Sequence, residues 1–378
     1  MHMFDDIRPY NDSEIHDAMQ RIASDPSFPI LASYVFPDKT VEEVRKTIQG
    51  IDNIRDFQIG IMHQVNKRIT GESISELSFG GMEHIDRNTQ YLYVSNHRDI
   101  MLDASLLQSI LIDNQMDTTY ITFGANLMKG QLVIDIGKSN KMFRVERPGE
   151  NIREFYRASM HLSEYIRTVL LRERQSVWIA QRNGRTKDGI DRTDQGIINM
   201  FRMSCPQDRL RSVSDLNILP VSVSYEWEPC DVLKTLELYA RLKGPYKKSQ
   251  GEDLKSILTG IMQPKGKVHI QFCRPLSEPE LLPYTSLLSK EFNRCIAGLI
   301  DKRICSEYRL TPNNYIAHDL RSGSGLYSTY YTYEQKQNFL QHMSCLEEYA
   351  DECDLEILRS IYLGIYANPV DSRQMFID

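Results

Sequence analysis

The feature that most constrains the fold of this chain is an alternation between short β-rich runs and longer amphipathic stretches, continuing from about residue 90 to residue 272. In the longer stretches, apolar residues recur every three or four positions, which is typical of helices. This alternation predicts an α/β domain in which helices cover a mixed sheet. The β-rich runs are residues 91–95, 119–123, 142–146, 176–180, 218–225 and 267–272.

The same patterns divide the 378 residues into three regions. Residues 1–85 have helical spacing and no evident chemistry, residues 86–280 contain the α/β domain, and residues 281–378 form a helical C-terminal extension. Within the domain, a long helix is predicted from about residue 152 to residue 174, with Asn151 as its N-cap. Its predicted buried face contains Ile152, Phe155, Tyr156, Leu162, Ile166, Val169 and Leu170.

No stretch of the chain is long enough to cross a membrane as a helix. The longest uncharged runs, 26–37 and 322–333, fall well short of the roughly 20 apolar residues that a transmembrane helix needs. The N-terminus lacks a basic segment followed by an apolar one, so no secretory signal is predicted. Seven scattered cysteines, with no CxxC pair and no histidine at metal-ligand spacing, favour reduced thiols. We therefore expect a cytoplasmic protein without a metal or cofactor.

Positive charge is concentrated in one part of an acidic chain. The net charge is −6, which argues against general nucleic-acid binding. Between Lys138 and Lys187, however, twelve lysines and arginines stand against five glutamates. This excess indicates either the solvated face of an amphipathic helix or a binding site for an anion.

The most informative stretch is YLYVSNHRDIMLDASLL, in which a β-rich run ends at Ser95 and a helical pattern follows. His97 lies at this junction and Asp103 lies near the start of the helix. The end of a strand beside a helix N-terminus is where α/β proteins bind ligands. His97 and Asp103 are therefore candidates for a catalytic pair.

Four blocks of this chain, in the same order, resemble motifs of the glycerolipid acyltransferases, the family of glycerol-3-phosphate and lysophosphatidic acid acyltransferases. An upstream glycine and a strand lead into a motif of the form NHRSxxD, which Asn96 to Asp103 resembles. A strand that ends in an arginine, a loop rich in glycine and arginine, and a strand that contains proline follow in both. The matching segments are SFGGMEHID (78–86) with YLYVSNHRDIMLD (91–103), MFRVERPG (142–149), NGRTKDG (183–189) and ILPVSVSYE (218–226).

The sequence departs from the family pattern in two places. Five residues lie between His97 and Asp103 instead of four, and Asp99 stands where the family usually has serine. Either carboxylate could therefore orient the imidazole. We favour Asp103, because the junction can absorb one extra residue. The third block also has Arg182 and Asn183 where its usual glutamate would be.

The resemblance implies that His97 is a general base that removes the proton of the acceptor hydroxyl, while Asp103 holds the ring. It implies an acyltransferase-like fold and direct transfer, with no covalent enzyme intermediate. Backbone N–H groups in the turn and helix start after His97 are expected to bind the oxyanion. Arg147, Arg185 and Lys187 are the implied ligands of an acceptor phosphate. The supporting residues are Asn96, Arg98, Asp99 and Gly184.

The resemblance thus implies an enzyme of phospholipid biosynthesis. The acyl donor would be acyl-CoA or acyl carrier protein, and the acceptor would be glycerol-3-phosphate or lysophosphatidic acid. Because the products are lipids, we expect peripheral docking on the inner face of the membrane, and no nucleic-acid partner. Two alternatives remain, namely an acyltransferase for a lyso-aminolipid acceptor and a non-catalytic lipid-binding protein.

Overall fold

The computed structural model of the protein describes residues 3–147 and 151–377, and its centre is a seven-stranded mixed sheet. The strand order is β1-β7-β6-β2-β5-β3-β4. Strands β6, β2, β5, β3 and β4 are mutually parallel, whereas β7 is antiparallel to β6 and parallel to β1. The strands are β1 (Ile74–Gly80), β2 (Leu92–Ser95), β3 (Tyr120–Gly124), β4 (Met142–Val145), β5 (Val177–Ala180), β6 (Ile218–Tyr225) and β7 (Gly266–Phe272).

This sheet confirms the predicted α/β class and the six predicted strands, but the helical prediction for residues 1–85 is wrong over β1. Strand β1 is an edge strand, and most of its side chains are partly or fully exposed. Among the described residues, its only partner in the sheet is β7, which lies about 190 residues further along the chain. A strand that is stabilised by such a distant partner carries little local signal.

Helices surround the sheet on both faces and continue beyond it. The helix predicted from residue 152 is present, and the Asn151 side chain accepts hydrogen bonds from two N–H groups of its first turn. The helices are α1 (Asp12–Ser24), α2 (Phe28–Val35), α3 (Val41–Gln49), α4 (Ile54–Phe57), α5 (His63–Ser73), α6 (Leu102–Asp113), α7 (Gln131–Ser139), α8 (Ile152–Leu171), α9 (Gln195–Arg202), α10 (Arg211–Ser214), α11 (Asp231–Lys243), α12 (Glu252–Met262), α13 (Glu278–Leu281), α14 (Ser289–Ser306), α15 (Pro312–Ser322), α16 (Tyr333–Met343) and α17 (Leu355–Ile377).

The two faces of the sheet bury separate hydrophobic cores, because side chains alternate along each strand. On β2, Val94 packs with α8 and α14 on one face, whereas Tyr93 packs with α6 on the other. The predicted buried face of α8 is wrong at its start. Ile152 and Tyr156 are exposed, because α8 joins the core only from Leu162 onward.

The C-terminal extension packs against α11 through a further apolar cluster around Phe339 and Tyr366. Its longest helix, α17, also contacts α14 and α15. Across residues 3–147 and 151–377, no helix is both long and apolar enough to span a membrane. Within the same ranges, no cluster of side chains is suited to hold a metal ion.

Candidate active site at the carboxyl edge of the sheet

The carboxyl ends of the five parallel strands lie along one edge of the sheet, and the predicted site residues follow those ends. His97 comes two residues after β2, and Arg147 comes two residues after β4. The loop that contains Gly184 and Arg185 follows β5. Parallel pairing thus brings segments that are up to 90 residues apart in the chain to a common edge.

Asp103 contacts the imidazole of His97 directly. His97 Nδ1 lies 2.9 Å from Asp103 Oδ2, which also accepts the backbone N–H groups of Arg98 at 2.7 Å and Asp99 at 3.0 Å. The other carboxylate oxygen accepts the hydroxyl of Tyr225 at 2.8 Å. Asp103 is fully buried, so these donors are what stabilise its negative charge.

Asp99 has a different role. Its Oδ1 accepts the backbone N–H groups of Met101 and Leu102, both at 2.8 Å, at the start of α6. No hydrogen bond joins Asp99 to His97 among the described residues. The extra residue between His97 and Asp103 lies in the short irregular segment before α6, which lets Asp103 reach the ring.

The geometry leaves one ring nitrogen of His97 available. With Nδ1 held by Asp103, Nε2 has no hydrogen-bond partner in the described part of the chain. The side chain is 14% exposed, and Trp178 packs edge-on against it with ring centroids 6.1 Å apart. An imidazole in this arrangement can accept a proton at Nε2 while Asp103 fixes the tautomer.

The prediction that N–H groups of the turn after His97 bind the oxyanion is wrong for four of these groups. Those of Arg98 and Asp99 donate to Asp103, and those of Met101 and Leu102 donate to Asp99. The two aspartates therefore use four of the donors that the turn and helix start were expected to offer a substrate.

Asn96 and Arg98, the neighbours of His97 in the chain, make buried contacts with other elements of the domain. The Asn96 amide donates to Asp191 at 3.0 Å and exchanges hydrogen bonds with the backbone of Val223 on β6. The fully buried Arg98 forms ion pairs with Asp191 at 2.6 Å and Glu228 at 3.2 Å. Both side chains thus bind other groups of the protein, and this is a structural role.

The loop after β5 supports the backbone of His97. The Thr186 N–H donates to the His97 carbonyl at 2.7 Å, and the Thr186 hydroxyl donates to Asp191 at 2.9 Å. Gly184 and Gly189 have φ angles of +75° and +77°, which favour glycine. The loop identified from its glycines and arginine therefore packs directly on the candidate base.

Arg185 lines a cavity of about 420 Å³ between α11, α12 and this loop. Its side chain is largely buried, and its Nη1 atom has no hydrogen-bond partner. No carboxylate of the described residues lies within ion-pair distance of it. Lys187 lines the same cavity but is paired with Glu237, and burial lowers the pKa of Lys187 to about 8.

Arg147 does not line this cavity. Its exposed guanidinium lies against Gly124 at the end of β3, where an added methyl group would come within 3.3 Å of Nε. Burial raises the pKa of Asp253 on α12, but the charges of Lys248 and Arg147 bring that pKa below its ordinary value. Arg147 and Arg185 therefore approach α12 at separate places. Pro148 and Gly149 of the same predicted block lie outside the described residues.

Two contributors to the site were missed in the sequence. Tyr225 ends β6, in the predicted proline-containing strand, but nothing local shows that its hydroxyl reaches Asp103. The second is α12, whose Gly260 packs so closely on Asp99 that an added methyl group would overlap the carboxylate. A glycine inside an amphipathic helical segment was the available signal for such close packing.

A match to one protein family covers nearly the same residues as the motifs. Residues 76–224 match the model of the family described as Acyltransferase. Among solved structures, the chain is similar to the 1-acyl-sn-glycerophosphate acyltransferase PlsC from Thermotoga maritima. The identity is 14% and the TM-score is 0.35, over 78% of this chain and 95% of that one. No curated protein matches the sequence.

Proposed function

We propose that this chain transfers a fatty acyl group from a thioester to a hydroxyl of a glycerol phosphate, because residues 76–224 match the model of the family described as Acyltransferase. The donor is acyl-CoA or acyl carrier protein, and the acceptor is glycerol-3-phosphate or lysophosphatidic acid. The observation that carries the proposal is the His97–Asp103 pair, which leaves Nε2 free beside the loop of Arg185.

In the proposed reaction, the acceptor hydroxyl donates its proton to His97 Nε2 as its oxygen attacks the thioester carbonyl. Asp103 stabilises the imidazolium that forms, and the hydrogen bonds that Asp103 accepts from Arg98, Asp99 and Tyr225 hold its carboxylate in position. The tetrahedral intermediate then expels the thiolate, which takes the proton back from Nε2. The acyl group passes directly to the acceptor, and the base is regenerated.

The acceptor phosphate binds at the cavity of Arg185 in this proposal. A buried guanidinium without a carboxylate partner is costly unless an anion neutralises it. A phosphate also matches the planar, two-pronged geometry of arginine. Lys187 contributes less than the family resemblance implied, because Glu237 already neutralises much of its charge. Arg147 offers a second, exposed cation at the same edge of the sheet.

A thiol-release assay with purified protein tests the proposal. With acyl-CoA or acyl carrier protein as donor, we expect turnover with glycerol-3-phosphate or lysophosphatidic acid, and a roughly 10²- to 10⁴-fold loss in His97→Ala. The matched control is His16→Ala, because His16 forms an exposed pair with Asp52 at 2.8 Å and does not line the cavity. This control should keep wild-type turnover.

The outcomes separate the alternatives. If His97→Ala keeps more than about a tenth of wild-type turnover, His97 is not the base. Turnover with a phosphate-free lyso-aminolipid, but not with the two phosphate acceptors, would identify the aminolipid as the acceptor. Binding of lipid without thiol release from any donor would identify a non-catalytic lipid-binding protein.

A further inference from the structure

Helix α12 covers the carboxyl edge of the sheet, and its inward face includes the polar or small residues Asp253, Ser256 and Gly260. On this face, Asp253 accepts a hydrogen bond from Asn126 at 3.0 Å, near the end of β3. One turn later, the Ser256 carbonyl lies 3.2 Å from the sulfur of Cys230, and Gly260 packs on Asp99. The helix therefore runs across the candidate site and closes it on one side.

The opposite face of α12 is apolar and exposed. At 100° per residue, Leu254, Leu258 and Met262 form a stripe that points away from the inward residues. Their exposed fractions are 59%, 47% and 67%. A single exposed apolar side chain is common on protein surfaces and needs no explanation. Three that lie one turn apart on the same helix form a contiguous apolar stripe, which indicates an interaction surface.

The segment before α12 adds positive charge. Residues 241–251 contain four lysines and arginines and no acidic residue, and all but one of these eleven residues are exposed. Arg241 and Lys248 form ion pairs with neighbouring acids, whereas Lys247 has no ion pair within the described ranges. Exposed lysines beside an apolar stripe match the headgroups and the outer acyl region of an anionic bilayer.

We propose that this α12 surface, formed by Leu254, Leu258, Met262 and the basic segment 241–251, docks on an anionic lipid bilayer. The inference rests on the proposed function, in which acceptor and product are lipids. Docking through the outward face of α12 brings the inward face, and the candidate site behind it, to the membrane surface. A second protein is the less suitable occupant, because three side chains cover far less than the roughly 1,000 Å² of a stable interface.

Co-sedimentation with vesicles tests the docking without depending on turnover. The probes are vesicles of phosphatidylcholine alone and vesicles that also contain phosphatidylglycerol. The test variant is Leu254→Ser/Leu258→Ser/Met262→Ser. The control is Leu282→Ser/Leu288→Ser/Leu326→Ser, which removes three leucines that are 58%, 75% and 66% exposed outside the α12 surface. Circular dichroism and thermal melting establish that both variants are folded.

We expect wild-type protein to bind the phosphatidylglycerol vesicles better than the neutral ones, and to bind less at high salt. The α12 variant should bind at least about tenfold more weakly, while the control stays within about twofold of wild type. Turnover of the α12 variant with a water-soluble, short-chain acceptor should be unchanged, because none of its three side chains lies on the inward face.

Equal sedimentation of the α12 variant and wild type would overturn the inference, as would a lack of wild-type binding to anionic vesicles. Self-association that the α12 variant abolishes, without vesicle binding, would also overturn it by identifying a second copy as the occupant. Absence of thiol release from every donor would instead refute the proposed function, and the vesicle results would still decide the docking.

Discussion

The two aspartates near His97 allow a matched test of the proposed mechanism, because Asp103→Asn and Asp99→Asn make the same chemical change four residues apart. Only Asp103 contacts the imidazole, at 2.9 Å. In Asp103→Asn, the single amide oxygen should occupy the Oδ2 position, where two backbone N–H groups hold it. The His97 tautomer should therefore be kept, and the loss should come from the missing negative charge.

The size of that loss follows from Coulomb's law. An imidazolium and a carboxylate whose charges are about 4 Å apart interact by about 4 kcal/mol at an effective dielectric constant of about 20. A neutral amide still accepts the hydrogen bond, so part of this stabilisation remains. We expect kcat to fall by roughly 10²- to 10³-fold in Asp103→Asn. In Asp99→Asn, the amide oxygen can still accept the N–H groups of Met101 and Leu102, so turnover should change by less than about threefold.

The assay is the thiol-release rate at saturating donor and acceptor, with urea unfolding as the check of folding. His97→Ala gives the lower limit of activity. If Asp103 acts through His97, the double variant His97→Ala/Asp103→Asn should be no slower than His97→Ala alone. Loss of activity in Asp99→Asn, together with near-normal turnover in Asp103→Asn, would refute the assignment of Asp103 as the orienting carboxylate.

Two further predictions concern charge. Arg185→Ala should reduce acceptor kcat/KM by roughly 10- to 150-fold, because Arg185 is largely buried. Arg147→Ala should reduce it by less than about fivefold, because Arg147 is exposed. Equal effects of the two substitutions in steady-state kinetics would contradict the buried phosphate site. Burial raises the pKa of Asp301 from its ordinary 3.8 to about 6, so the folded state holds this proton more tightly than the unfolded state. The unfolding free energy of wild type should therefore fall as pH rises from 4 to 6, by up to about 3 kcal/mol relative to that of Asp301→Asn. Urea titrations at several pH values measure both unfolding free energies. The same dependence on pH in the two proteins would contradict this prediction.

Much of the architecture is readable from the sequence because it is encoded locally. Each of the six predicted strands is a short run of apolar residues between turns, and the structure has a strand at every one of them. Strand β1 was not predicted. It is mostly exposed, and it pairs with β7 from the far end of the domain. Its pairing energy comes from tertiary structure, so its residues alone do not distinguish it from the helix before it.

The candidate site was predictable where a motif is contiguous, and not where the fold brings distant groups together. His97 and Asp103 lie six residues apart and meet as expected. Tyr225 reaches Asp103 only because β6 pairs with β2, and Glu237 reaches Lys187 only because α11 packs beside the loop. A count of charges in the sequence could not show that Glu237 forms an ion pair with Lys187. Nor could it show that no carboxylate of the described residues forms an ion pair with Arg185.

The C-terminal extension contacts the loop after β5 at Gly189 and at the neighbouring Asp188. Gly189 has a φ angle of +77°, and an added methyl group would overlap the Ile365 carbonyl of α17. Gly189 also accepts a hydrogen bond from Arg98 at 3.3 Å, and the neighbouring Asp188 carbonyl accepts one from Asn368 at 2.7 Å. Helix α17 therefore holds the loop that supports His97.

Gly184→Ala is the matched control for Gly189→Ala, because Gly184 has nearly the same φ angle but no atom within 4 Å of the added methyl group. Both variants incur the backbone strain of roughly 1–2 kcal/mol, whereas only Gly189→Ala also forces α17 and the loop apart, at a further 1–3 kcal/mol or so. In urea unfolding, Gly189→Ala should therefore be the less stable variant by that further amount. Its turnover should also fall more, since the displaced loop donates the Thr186 hydrogen bond to His97. Equal stability and equal turnover in the two variants would show that α17 does not hold the loop that supports His97.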